Sequence, residues 1–170
     1  GDYLRVPYNA GFAMGSSNFT IEYWVYPTVL TGDITVLGAH TNDTNGGYGV
    51  GFNGTQPRTW INIGGGGANW YQVTGPTALI NAWNHIALVR NGSSFYMYTN
   101  GVQGTVYTNG GAITDASNSD VTIGARYNGT GNFYTGYVTD ARIVKGTAVY
   151  TTAFTPPSAP LTAISGTSLL

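Results

Sequence analysis

The sequence predicts an all-β fold, an antiparallel sandwich or barrel. Three observations carry that prediction. No segment longer than a few residues has helical periodicity, and good helix formers are scarce: Lys145 is the only lysine and Glu22 the only glutamate. Thr, Tyr, Val, Ile and Gly dominate instead, as in strands and turns. Asn-Gly pairs begin at Asn45, Asn53, Asn91, Asn100, Asn109 and Asn128. Such pairs favour tight hairpins because both residues tolerate positive φ.

Taken in order, the strands read as 2–6, 18–26, 33–39, 47–52, 58–63, 69–74, 84–90, 94–99, 102–107, 120–125 and 135–144. Period-two alternation marks the second, where Phe19, Ile21, Tyr23 and Val25 share a face. Ile61 and Ile63 give the fifth an inner face, and Phe95 with Met97 do the same for the eighth. Asn53-Gly54, Asn91-Gly92 and Asn100-Gly101 separate consecutive runs. Regular short strands between turn signals are the mark of a sandwich or barrel. Beyond Tyr150 the stretch Pro156-Pro157-Ser158-Ala159-Pro160 cannot enter a sheet interior. Residues 1–150 thus read as one sandwich domain, and 151–170 as an extended segment packing on its edge or linking to a further module.

Composition narrows the partners. The 170 residues suit one domain. Only 8% are charged and the formal net charge is -1, so there is no basic footprint for nucleic acid or an anionic membrane. An aromatic share of 14% argues against disorder. Cysteine is absent, which removes disulfides, thiol catalysis and thiolate metal sites. No apolar stretch approaches the ~20 residues needed to insert across a bilayer as a helix. The chain opens at Gly1-Asp2-Tyr3 and closes at Leu169-Leu170 without punctuation, which reads as a piece of a longer protein.

Several segments carry a family resemblance: Phe19 to Val25, Trp83 to Arg90, Phe95 to Gly101, Val121 to Gly124 and Tyr134 to Ile143. In order and spacing they resemble the concanavalin A-like lectin/glucanase architecture, a laminin-G-like jelly roll. The version most resembled is the one appended to bacteriophage tail-fibre and other virion proteins. Arg142 to Tyr150, followed by Phe154-Thr155-Pro156-Pro157, is the most phage-like part. The resemblance implies an extracellular or virion-surface location, with glycans or polysaccharide and other virion chains as partners, the chain itself among them as a homo-oligomer. Because this fold hosts lectins, adhesion modules, glucanases and spacers, function has to be read from a site.

Catalysis has little support in the sequence. Glycosidases generally need two carboxyl groups across the scissile bond. Glu22 has no acid beside it, and the Glu-x-Asp-x-x-Glu pattern of the fold's glucanases is missing. A glycosidase would need a sequence-distant aspartate to approach Glu22. No nucleophile elbow and no zinc spacing is present, and the Gly64–Gly67 run lacks the Lys-Ser/Thr of a phosphate loop. The enzyme reading is therefore negative.

Binding has more support. Sugar sites need flat aromatic faces with short amides and carboxylates. If 58–63 and 69–74 form a hairpin, Trp60, Asn62, Trp70 and Gln72 share one exposed face, with Asn69 at its end. The competing arrangement buries one or both tryptophans between sheets or under an edge segment. Alternating loops of an up-and-down succession gather His40, Asn42, Asp43, Asn45, Asn69 and Asp115 at one rim. They gather Asn53, Gln56, Asn81, Arg126, Tyr127, Asn128 and Asn132 at the other. The carbohydrate-binding candidates are thus Trp60, Asn62, Trp70, Gln72, Asn69, Asp43, Asn45, Arg126, Tyr127 and Asn128. The resemblance implies a calcium site at the second rim, but Asn81 stands where an acid is usual. Asp43, or Asp115 with Asp120, is the remaining metal candidate, and calcium is the one cofactor left open. Trp83 is expected to plug the space between sheets, His85 to serve as a structural histidine or a ligand, and Asp140 to pair with Arg142 or cap loops. The leading reading is a non-catalytic, lectin-like domain that recognises cell-surface glycans. The alternatives are a structural or decoration domain of a virion, and a glycosidase.

Overall fold

The computed structural model describes residues 2–40, 46–65, 69–114 and 119–170. Twelve strands run in chain order: β1 Leu4–Val6, β2 Phe19–Val29, β3 Asp33–Ala39, β4 Tyr48–Asn53, β5 Gln56–Asn62, β6 Trp70–Tyr71, β7 Asn84–Asn91, β8 Ser94–Thr99, β9 Val102–Thr108, β10 Val121–Ile123, β11 Thr135–Lys145 and β12 Thr167–Leu169. They form two six-stranded sheets. One has the order β1-β10-β3-β4-β5-β6 and the other β12-β11-β2-β7-β8-β9. Every pairing is antiparallel. The two sheets stack as a sandwich, as the turn-punctuated alternation predicts.

The alternation is physical. Along β2, Phe19, Ile21, Tyr23 and Val25 point inward and lose all contact with water. From the opposite sheet Val36, Val50, Phe52 and Ile61 do the same, and all eight belong to one core cluster. Each such side chain contributes about 1.5–3 kcal/mol of transfer free energy. A shift of one residue in β2 would turn these four outward, so register is strongly fixed.

Hairpins form where Asn-Gly pairs stand between strands. Asn100 and Gly101 have φ values of 52° and 77° and join β8 to β9, the double positive φ of a type I′ turn. A Cβ at Gly101 would lie 1.7 Å from the Phe154 carbonyl oxygen, because the C-terminal segment passes directly over this turn.

That segment crosses the outer face of the second sheet. Tyr150 and Phe154 stack with ring centroids 3.6 Å apart. The chain then returns so that β12 pairs with β11 as an edge strand.

Arg90, at the end of β7, is the other long-range tie. It is 1% exposed and donates to the carbonyls of Gly92, Gly15, Gly110 and Gly111, with Phe95 beneath its guanidinium. One side chain thus satisfies backbone acceptors from three separate segments.

Candidate functional site

All four tryptophans lie on outer faces, and none fills the core. Trp60 and Trp70 belong to the first sheet, Trp24 and Trp83 to the second.

On the first sheet, Ile61 faces the core, so Trp60 faces out, and cross-strand pairing of Asn62 with Trp70 puts Trp70 on the same side. Between Trp60 and β3 lies β4, whose outward positions are Gly49 and Gly51, beside Gly38 of β3. A sheet face without side chains is a trough. It is a cleft of about 250 Å³ lined by Trp60, Trp70, His40, Arg126, Asn132, Thr35 and Asp33. Gly49 is its floor: a Cβ there would stand 3.7 Å from both His40 Nε2 and Trp60 Cε3.

The walls are fixed by their neighbours. The Arg58 guanidinium lies 4.9 Å from the centre of the Trp60 ring and is held by an ion pair to Asp33. It also donates to Gln72 Oε1 at 3.3 Å. Trp70 meets the His40 ring edge-on at 6.0 Å, and Tyr127 meets it at 4.9 Å. Arg126 lies over the Tyr127 ring at 4.6 Å. Electron-rich ring faces, an amide, a hydroxyl and charges of both signs thus line one concave surface. Such a surface stacks against apolar ring faces and exchanges hydrogen bonds with hydroxyl groups.

His40 is buried, and its Nδ1 has no hydrogen-bond partner among the described residues. Burial, reinforced by the charge of Arg126, pushes its pKa down to about 4. The imidazole is therefore neutral near pH 7. Because the folded value lies below the unfolded value of ~6.5, the contribution to stability is complete above pH ~6.5. It is lost as pH falls from there toward 4, and reaches about 3 kcal/mol at most. The expected result is a melting temperature that drops through this window in the parent but far less in His40→Gln. Parallel pH–Tm curves for the two proteins would contradict it.

The sequence expectations meet the structure unevenly. Trp60, Trp70 and Arg126 are brought together in the trough, with Tyr127 against His40 and Gln72 against Arg58. Asn62 is on the expected face but completely buried; its backbone N–H donates to the Gly47 carbonyl and its carbonyl accepts the Thr114 amide. Asn69 is turned back to donate to the Gly65 carbonyl. Asn128 falls in the short 3-10 turn Tyr127–Gly129, and its side chain lies outside the described atoms. Asn42, Asp43, Asn45 and Asp115 lie outside the described residues. Asp120 is a poor metal ligand here: it pairs with Arg5 and accepts the Tyr8 amide. Among the described residues no three His, Asp or Glu side chains converge as a cation site.

The rim grouping needs correction. Loop alternation separates His40 from Arg126 and Tyr127, yet the structure joins them. β10 inserts between β1 and β3, and the loop after it folds back along β3, where Thr35 donates to the Asn132 carbonyl. The glycine floor is the site feature that sequence reasoning missed, and His40, grouped at a rim, is not carried into the binding candidates. The Gly-x-Gly alternation of Gly49 and Gly51 within a strand is the signal that marks a face stripped of side chains.

The second sheet corrects two further expectations and gives His85 its partner. Trp83 does not plug the sandwich; it is 47% exposed, since Asn84 and Ile86 take the inward side. His85 is structural: its Nε2 lies 3.1 Å from Glu22 Oε2. Arg142 pairs with Glu22 rather than Asp140, through Nε at 2.9 Å and Nη2 at 2.6 Å. A register break between Thr139 and Arg142 turns Asp140 away, to accept the Leu161 amide. Tyr150 completes the cluster by donating to Glu22 Oε2 at 2.8 Å. Burial alone would raise the Glu22 pKa, but hydrogen bonds from His85, Arg142 and Tyr150 and the charge of Arg142 outweigh it and hold the carboxyl below its usual range. Fully buried and saturated with donors, Glu22 is not placed to exchange protons with a substrate.

A family model described as the concanavalin A-like lectin/glucanases superfamily matches residues 1–152. The chain belongs to this superfamily. As a member of it, the chain is similar in fold to domain 4 of AbnA, a GH43 extracellular arabinanase from Geobacillus stearothermophilus, solved with arabinotriose. That pair has 20% identity and a TM-score of 0.66 over 86% of this chain and 68% of the other. The CBM40 of Ruminococcus gnavus IT-sialidase, solved with α2,3 sialyllactose, has 13% identity and a TM-score of 0.60 over 80% and 85% of the two chains. A putative carbohydrate binding protein from Bacteroides ovatus has 15% identity and a TM-score of 0.59 over 88% of this chain and 43% of that one. No curated protein matches the chain.

Proposed function

We propose that the chain is a non-catalytic carbohydrate-binding domain that recognises cell-surface glycans through the trough on its first sheet. The glycine-floored cleft between Trp60 and the His40–Trp70 pair carries this reading. A sugar ring stacks on an indole through its C–H face, while its hydroxyls reach Asn132, Thr35, Asp33 and Arg126. The carbohydrate ligands in the structures of similar fold support it. The phage-like run Arg142 to Tyr150, with Phe154 to Pro157, supports display on a virion or another extracellular particle, where clustered copies would multiply a weak affinity.

The test is a glycan array probed with the domain clustered on beads. A related set of glycans is expected to retain it. Trp60→Ala and Trp70→Ala are each expected to weaken binding by about thirtyfold, the ~2 kcal/mol of an aromatic hot spot. A blank array with clustered protein would overturn the reading and favour a structural role on the particle. Retention unchanged by both substitutions would remove the site from the trough.

A further inference from the structure

The outer face of the second sheet is only partly covered. The C-terminal segment lies over the half that holds Glu22, His85 and Arg142, where the Phe154 ring meets His85 at 5.7 Å. Beyond its Pro157–Pro160 stretch, Trp83 and Tyr137 stand exposed, with Trp24 and Tyr26 half-buried beside them. Trp83 is 47% and Tyr137 66% exposed. The side chains of Tyr137, Tyr26 and Trp83 follow one another across β11, β2 and the entry to β7. Strands ~4.8 Å apart make that row about 10 Å long.

The rings brace one another. Tyr26 meets Trp83 edge-to-face at 5.7 Å and Tyr137 at 6.0 Å, and Trp24 is set against His85 at 5.2 Å. Trp83 stands between two clefts. One, of about 410 Å³, is walled by Trp24 and the Pro157–Pro160 stretch and bordered by Thr139, Asp140 and Ser158. The other, of about 310 Å³, lies among Trp83, Tyr26 and Tyr137. Both fall in the size range of small-molecule sites. Among the described residues, Asp140 is the only charged one lining either. It is a non-glycine residue at φ 51° in a register break, and the Leu161 amide holds its Oδ1 at 3.0 Å. That bond keeps the carboxylate in place at the mouth of the first cleft.

We propose that this aromatic shelf is a second saccharide site, independent of the trough, that takes a neutral oligosaccharide laid across Trp83. The chemistry selects that occupant. Indole and phenol faces carry negative quadrupole charge and attract the weakly positive C–H faces of sugar rings. The polar border offers hydroxyls and one carboxylate, which accept from sugar hydroxyls. Among the described residues no cation lines the clefts beside Asp140, so an anionic glycan is repelled. Because the rings are already fixed, little conformational entropy is lost on binding.

The test follows the four indole N–H resonances of the ¹⁵N-labelled domain during titration with short uncharged gluco-, xylo-, manno-, galacto- and arabino-oligosaccharides. Saturable shifts at Trp24 and Trp83 are expected with at least one of them. These shifts persist in the Trp60→Ala/Trp70→Ala double variant and weaken about tenfold or more in Trp83→Ala. The half-exposed Trp83 can be removed with the fold intact, and unchanged Trp60 and Trp70 resonances confirm that. The proposal is overturned if no uncharged oligosaccharide shifts Trp24 and Trp83 at millimolar concentration. It is equally overturned if only a charged one does so, or if the shifts follow protein concentration without sugar, which would assign the shelf to a second copy of the chain. Loss of trough binding alone leaves these shifts in place, so the two sites fail separately.

Discussion

Arg142→Met is expected to destabilise the domain by about 3–5 kcal/mol, because it strips the cationic partner from a carboxylate that water cannot reach. Glu22 is fully buried, and the guanidinium supplies two of its hydrogen bonds. The same side chain donates to the Thr162 carbonyl at 2.7 Å, so the C-terminal segment loses an anchor as well. At roughly 2–4 °C per kcal/mol for a chain of this size, the melting temperature falls by about 6–20 °C. Urea unfolding checks the free energy directly. Glu22→Gln/Arg142→Met is expected to recover part of the loss, since it removes the stranded charge along with its partner. A single-variant loss below about 1 kcal/mol would mean that the pair contributes no more than an exposed surface pair.

Gly49→Leu is expected to abolish glycan retention while leaving the fold stable to within about 1 kcal/mol. The site for a Cβ is open at ordinary contact distance from His40 and Trp60, so the branched remainder of the leucine has only the trough to occupy. Gly49→Ala adds one methyl and is expected to weaken binding only partly. The graded series Gly, Ala, Leu separates occlusion from unfolding when retention is read beside Tm. Full retention by the leucine variant would show that ligands do not enter the trough.

Sequence carried most of the strand pattern because the pattern is local. Phe19 to Val25 alternate, Ile61 and Ile63 mark an inner face, and Asn100-Gly101 can hardly do other than turn. β12 was not readable: Thr167–Leu169 is too short to alternate, and its pairing with Ile143 and Val144 depends on a long return path. The outward direction of Trp60 followed from its isoleucine neighbour. The trough did not follow, because it needs Gly49 registered between Gly38 and Trp60, and register belongs to pairs of strands. Trp83 shows the same limit. It shares a face with His85, as its spacing requires, but which face is inner is decided by Asn84 and Ile86 across the sheet. Charge pairing is still less local, since Arg142 bypasses nearby Asp140 for Glu22, 120 residues away.

That last separation sets a timetable. β2 lies between β7 and β11, so during synthesis it is made long before either flank. At ribosomal rates of ~5–20 residues per second, roughly 6–24 s pass between the appearance of Glu22 and that of Arg142. Throughout that interval the nascent chain carries an eleven-residue strand, rich in aromatic residues, with at least one unpaired edge. Folding waits on its last third, and the slow kinetics of distant pairings become a period of exposure to other unfinished chains. In this domain the vulnerable moment for aggregation comes at birth, before the ion pair that later secures the strand has been translated.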